Sequence, residues 1–170
     1  MRLVAIDTST WWGALALVEG GGACPAARTV AEAGLLVGDS HAAHLLPILE
    51  RLLAEAGWPV ESVDAFAATR GPGSFTGLRI GASTVKGLAL TTGKPVVGVS
   101  TLEALAYNAF ETPALICPML DARKAEVYAA IYRANGEGLF DVVMEEKATT
   151  PAEFLDAIDG EALFLGDGLG

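Results

Sequence analysis

Few residues in this 170-residue sequence have the type and spacing to do chemistry. The densest group is Arg70-Gly71-Pro72-Gly73-Ser74-Phe75-Thr76-Gly77-Leu78-Arg79-Ile80-Gly81, which reads as a strand end, a glycine-rich turn and a helix N-terminus. Free backbone N–H groups at such a junction favour a phosphate or a carboxylate. No lysine follows as it does in a phosphate-binding P-loop, so on physics alone a tight turn with positive φ at its glycines is favoured. Asp7 and Asp121 each close an apolar run. A strand-terminal acid can hold magnesium or act as a base, and a hairpin that cradled phosphate beside it would carry small polar residues. The first hairpin instead carries Trp11 and Trp12, and the second carries Arg123 and Lys124. An Asp that hydrogen-bonds its own turn is the plainer role. His41 and His44 are three apart and can share a helix face, yet no third ligand is evident and zinc sites use three or four. A solvated or interface role outranks a metal there. Cys24 and Cys117 are too far apart for a metal pattern or a disulfide framework.

Elements must position these residues. An apolar run makes Arg2–Asp7 a strand. Residues 13–18 read as a second strand, and Gly20-Gly21-Gly22 turns the chain into a third around 28–33. Asp39 and Ser40 are N-cap candidates for a helix running to about Ala56, with Gly57 just past its end. Pro47 conflicts with that pattern and predicts a kink or an irregular first turn. Residues 64–69 form a strand, 76–92 a second helix, and 95–99 a further buried strand. Ser100-Thr101-Leu102-Glu103 is a capping box opening a third helix.

The pattern then restarts. Residues 114–121 form an apolar run ending in an acid, 126–132 alternate, and Asn135-Gly136 is a hairpin turn. Residues 139–144 supply a third strand, Thr150-Pro151-Ala152-Glu153 is a second capping box, and 162–165 is one more strand. Placing Asp7 over Asp121 brings both series into register. This predicts a duplication, with three strands, a helix and a strand in each half; chance similarity of two ordinary hairpins is the alternative. The second copy stops where the first continues into the helix at 76–92. The expected organisation is two domains, 1–100 and 101–170, the second incomplete at its C-terminus through truncation or a missing tail.

Composition narrows the function. The formal charge is −10, and 52% of residues are hydrophobic. A protein that grips RNA by its phosphates needs a basic surface, so RNA work here requires a basic partner. No run of about 20 apolar residues is present to span a membrane. The opening residues lack a signal-peptide pattern. Together with the cysteine usage, this predicts a cytoplasmic protein.

The glycine-rich string, with Ala5-Ile6-Asp7-Thr8-Ser9, resembles the TsaB (YeaZ) family. So do His41 followed by Leu45-Leu46-Pro47, Gly98-Val99-Ser100-Thr101-Leu102, and Asp121-Ala122-Arg123 with Glu126-Val127-Tyr128. The likeness runs from Met1 to about Tyr132. It implies a duplicated actin-like (RNase H-like) α/β fold. It also implies an accessory, non-catalytic role in making threonylcarbamoyl-adenosine in tRNA, with no cofactor of its own. The implied partners are a homologous catalytic subunit, TsaD, and an ATPase, TsaE, with tRNA reached only through the complex. The catalytic homologue has a metal-binding histidine pair on a corresponding helix, and His-Ala-Ala-His here lacks its longer gap. An active actin-like kinase or ATPase is the alternative.

The second helix gives an independent clue. Leu78, Ala82, Val85 and Ala89 make one face, which is expected to cover the sheet, and Ile80, Thr84, Gly87 and Thr91 make the opposite one, which needs another cover. A helix apolar all round is buried all round. Burial under the second domain is the plain explanation; with the resemblance, a partner helix is favoured. The expected interface is His44, Ile48 and Arg51 on the first helix with Ile80, Ser83, Thr84 and Gly87 on the second. The same face predicts a homodimer when the partner is absent.

Overall fold

The protein, a computed structural model, is described over residues 1–21, 24–36 and 41–169. The N-cap candidates Asp39 and Ser40, and Gly22 of the turn between the second and third strands, lie outside the described residues. The chain divides into two compact units, Met1–Val99 and Ser100–Gly170.

In the first unit, β1 (Arg2–Asp7), β2 (Trp12–Gly21) and β3 (Cys24–Leu36) form an antiparallel meander. Helix α1 (His41–Glu55) then leads to β4 (Ala65–Gly71), which pairs parallel with β1. Helix α2 (Phe75–Thr92) and β5 (Val96–Ser100) follow, giving the strand order β3-β2-β1-β4-β5. Val4 pairs with Leu17 and Ile6 with Leu15, so alternate residues of neighbouring strands share one face. Against that face α1 sets Leu45, Leu49 and Leu52, spaced four and three apart, all buried with Phe66, Trp58 and Val85. The helix continues through Pro47, which lies on its exposed side. There the missing N–H removes one hydrogen bond without ending the helix. Strand β3 runs well beyond the expected 28–33 because register with β2 carries on to Trp12 opposite Leu36. Its alanines and glycine give no hydrophobic alternation to read.

The second unit repeats the plan. β6 (Leu115–Arg123), β7 (Glu126–Ala134) and β8 (Phe140–Thr149) form a meander, α4 (Pro151–Asp156) follows, and β9 (Ala162–Leu165) pairs parallel with β6. The order β8-β7-β6-β9 matches β3-β2-β1-β4 strand for strand. This is a duplicated RNase H-like α/β fold of the actin-like type. Helix α3 (Thr101–Ala106) opens the unit. Strand β6 is buried on both sides: Ile116 and Leu120 pack with Leu102 and Ala106 of α3, while Leu115, Cys117 and Met119 pack with Phe154 of α4. Double burial explains the unbroken apolar run. Thr150 and Glu153 form the full reciprocal capping box. At α3 the Ser100 hydroxyl accepts from the Glu103 N–H and itself donates to Glu146 at 2.6 Å. Among the described residues no helix is long and apolar enough to cross a membrane.

Two acids in this unit are held neutral. Burial pushes the Cys117 thiol up to about 11. Burial, then the nearby Glu146 charge, pushes the Tyr132 phenol up to about 12, partly opposed by a hydrogen bond with Ser100. Both folded values exceed the unfolded ones, so the stability they contribute is full below about pH 9 and is lost as pH rises towards 12. The loss is on the order of 2–3 kcal/mol per group. Urea midpoints should therefore fall steeply above about pH 9, and Cys117→Ala should flatten the first part of that fall. A midpoint level from pH 8 to 11 would contradict the assignment.

Candidate functional site

The glycine-rich string seats the first turn of α2 against the end of β1. Strand β4 ends at Gly71, with φ 111°, and Gly73 has φ 148°. Both are conformations that favour glycine. Ser74 is the N-cap of α2: its hydroxyl accepts from the Gly77 N–H and its own N–H donates to the Ser9 carbonyl at 2.6 Å. The Thr8 hydroxyl donates to the Gly77 carbonyl at 2.7 Å. A Cβ on Gly73 would strike the Ser9 carbonyl, one on Gly77 the Thr8 carbonyl, and one on Gly81 the Thr8 hydroxyl at 2.6 Å. Two of the N-terminal N–H groups are thus occupied: that of Ser74 by the Ser9 carbonyl and that of Gly77 by the Ser74 cap. Thr76 is exposed, and Phe75 is 72% exposed with the Arg79 guanidinium 4.8 Å above its ring.

This contact corrects the orientation expected for α2. Leu78, Ala82, Val85 and Ala89 were the expected sheet-facing side. The residues buried against the sheet are Gly77, Gly81 and Val85, with Ile80, Leu88 and Ala89 packed at the edge of the core. The helix is turned so that its glycines, not its larger side chains, meet β1. Leu78 and Ala82 are left half-buried on the flank towards β5.

The expected partner residues fall on the other flank, where α2 touches α1. Ile48 and Ile80 are half-buried against the same core cluster, so neither stands free of the fold as the helical wheel suggested. His44, Arg51, Ser83 and Gly87 are exposed, and Thr84 is half-buried. Ser83 and Thr84 both donate to the Ile80 carbonyl, at 3.0 and 2.8 Å. Hydroxyls satisfied within their own helix lose little when a surface is covered. Nothing lies within 4 Å of where a Gly87 side chain would begin. Arg51 sits 3.8 Å from Glu55 one helical turn on.

The two strand-end acids both serve their own turns. Asp7 accepts from the Ser9 N–H at 2.8 Å and from the Thr69 hydroxyl at 2.7 Å. Asp121 accepts from the Arg123 N–H at 2.7 Å. That bond helps hold Arg123, Lys124 and Ala125 at φ 67°, 53° and 61°, a left-handed run unfavourable for side-chain-bearing residues. In the first hairpin Trp11 and Trp12 meet edge to face, their centroids 6.2 Å apart, and Trp12 lies against Gly34 of β3. Among the described residues no group of three His, Cys, Asp or Glu is placed to hold a metal; the His41 side chain lies outside the described set.

The sequence model of the family described as "TsaD: tRNA N6-adenosine threonylcarbamoyltransferase" matches residues 35–164. The tRNA threonylcarbamoyladenosine biosynthesis protein TsaB of Escherichia coli K12 is 34% identical over 173 residues, covering 99% of this chain and 72% of that protein. TsaB of Bacillus subtilis 168 is 31% identical, covering 98% and 71%. The tRNA N6-adenosine threonylcarbamoyltransferase of Anaeromyxobacter dehalogenans 2CP-1 is 30% identical over 177 residues, of which this chain spans about half, 52%. YeaZ from Pseudomonas aeruginosa matches in structure with a TM-score of 0.77 and 36% identity, covering 88% of this chain and 67% of that one.

The glycine contact makes a sharp prediction. Gly77→Ala places a methyl inside the Thr8 carbonyl and should cost about 3 kcal/mol or more. Gly87→Ala meets open space and should stabilise by roughly 0.5–1 kcal/mol through helix propensity. Comparing the two by urea denaturation checks the seating of α2. Equal midpoints would show that the first turn of α2 does not rest on β1.

Proposed function

We propose, from the premise that this chain belongs to the TsaB family of tRNA threonylcarbamoyladenosine biosynthesis proteins, that it acts as a non-catalytic docking subunit for a TsaD-like transferase. Its role lies in the pathway that makes threonylcarbamoyl-adenosine in tRNA. It works in the cytoplasm, reaches tRNA through the complex, and shares that complex with a TsaE-like ATPase. The observation that carries this reading is the surface where α1 meets α2. It combines half-buried Ile48, Ile80 and Thr84, self-satisfied hydroxyls, and an open Gly87 that allows close backbone approach. The equivalent helix pair of a homologous partner would complete a four-helix contact, burying roughly 1,200–2,000 Å² in total. The same pair on a second copy gives a homodimer when the partner is absent. The active-kinase reading draws no support from the hairpins. Asp7 and Asp121 are engaged in their own turns, and Trp11, 60% exposed, stands with Trp12 in the first hairpin.

Gly87→Glu tests the surface. Glutamate suits a helix better than glycine and its Cβ would meet no neighbour at this exposed position, so the monomer should keep its circular dichroism spectrum. An acid among apolar groups should weaken both self-association and transferase binding by roughly 30-fold or more. A folded Gly87→Glu protein that still dimerises and binds the transferase as tightly as before would place the interface elsewhere. A second expectation concerns chemistry. The purified chain should hydrolyse no ATP, and Asp7→Asn, which keeps the oxygen that accepts from Ser9 and Thr69, should change nothing. Turnover lost on that substitution would promote the kinase reading. The chain alone should not retain tRNA at physiological salt; a salt-sensitive, sub-micromolar complex in a filter-binding assay would contradict this.

A further inference from the structure

The five-stranded sheet of the first unit is wider than the helices laid on it. Strands about 4.8 Å apart put β3 and β5 roughly 19 Å apart. Helices pack about 10 Å apart, so a pair covers about four strands. Helix α1 lies over β3 and β2, and α2 over β4 and β1. Strand β5 is left over, at the sheet edge. Its Val96 is 42% and its Val97 51% exposed. Between α2 and this strand runs a groove of about 400 Å³, walled by Leu78, Ala82 and Val85 and floored by Ala68 and Val96. The Phe66 N–H donates to the Pro95 carbonyl, which sets Val96 beside Phe66 on the face that α2 covers and turns Val97 to the other face.

The rim of the groove is basic. Arg70, Arg79 and Lys86 line it, and among the described lining residues there is no carboxylate, in a chain whose formal charge is −10; Arg70 already has a partner within the protein, so Arg79 and Lys86 carry the argument. Arg79 is braced over the Phe75 ring, and the stem of Arg70 runs beside Gly98, where a side chain would begin 3.5 Å from it. Lys86 is exposed. The walls are aliphatic, whereas a groove for single-stranded nucleic acid offers aromatic faces for bases to stack on; Phe75 is the one aromatic residue here.

We propose that this groove receives an amphipathic helix of a partner protein, its apolar stripe on Leu78, Ala82 and Val96 and its flanking carboxylates on Arg79 and Lys86. The vacant place in the helix layer sets the shape of the occupant, and the rim sets its charge. The site lies on the flank of α2 opposite Ile80 and Gly87. It is therefore a second docking face, independent of the α1–α2 surface, and each can fail without the other.

The probe is a fluorescein-labelled amidated peptide of 18 residues, the length of α2, with leucines on one face and glutamates beside them. A control replaces every glutamate by lysine. Fluorescence anisotropy with the whole chain should show the glutamate peptide binding at least roughly tenfold more tightly than the lysine peptide. Lys86→Glu, a surface change on a helix, should weaken the glutamate peptide by roughly tenfold and reverse the preference. Val96→Glu should abolish binding, and Gly87→Glu should leave it unchanged. Equal binding of both peptides, or indifference to Lys86→Glu, overturns the proposal. Self-association lost in Val96→Glu but kept in Gly87→Glu would put a second copy in the groove and overturn it. Retention of a tRNA anticodon stem-loop that depends on Lys86 would do so in favour of RNA.

Discussion

The backbone approach of α2 to the end of β1 determines where every other surface of the first unit points. Gly73 and Gly77 let the turn of α2 rest directly on the carbonyls of Ser9 and Thr8, and Gly81 clears the Thr8 hydroxyl. Two hydrogen bonds lock the contact, from Ser74 to Ser9 and from Thr8 to Gly77. A helix held by its backbone at one end has little freedom to rotate. Its azimuth is fixed by three small residues, and the larger side chains take whatever directions remain. Ile80 and Thr84 then fall towards α1, and Leu78 and Ala82 towards β5. The two flanks of α2 differ in what borders them: on one side a second helix with matched apolar residues, on the other a bare edge strand ringed by cations.

That same contact bears on the nucleotide question. A glycine-rich turn leading into a helix is a good anion site when its N–H groups point to open space. Here the Ser74 N–H is spent on Ser9 and the Gly77 N–H on the cap. The string serves packing where a phosphate loop would serve a ligand. Without a lysine behind the turn, the sequence already favoured that plainer use, and the close glycine contacts supply its physical reason.

Most of the architecture was legible because period and punctuation agreed. The apolar runs ending in Asp7 and Asp121, the capping box at Thr150 and the glycines after α1 and α2, Gly57 and Gly93, mark elements that the structure contains. Duplication was legible because the whole series repeats in order. The length of β3 was not, since Ala26, Ala27, Ala31, Ala33 and Gly34 carry no alternation to count. The rotation of α2 was missed for a related reason. A helical wheel weights a face by the size of its side chains, and this face is buried because its residues lack them. Gly77, Gly81 and the Thr8 hydroxyl that meets them are far apart in sequence, and only the parallel pairing of β1 with β4 brings them together. The groove beside β5 was illegible for the same cause: with Leu78 and Ala82 assigned to the core, no apolar surface was left over on that side.

The charge is also unevenly shared, and this constrains how such a chain can work near tRNA. Residues 1–99 carry seven Lys and Arg against eight Asp and Glu, whereas residues 100–170 carry four against thirteen. Nearly all of the net −10 therefore belongs to the second unit. A duplex or loop of RNA approaching that unit meets repulsion that falls off only over about a Debye length, roughly 8 Å at physiological salt. The first unit is nearly neutral and concentrates its cations around α2, at Arg70, Arg79 and Lys86. An acidic second unit discourages phosphate from settling on the subunit itself, while the balanced first unit leaves its helices free for apolar contact with protein. This distribution is consistent with the docking role proposed for the helices of the first unit.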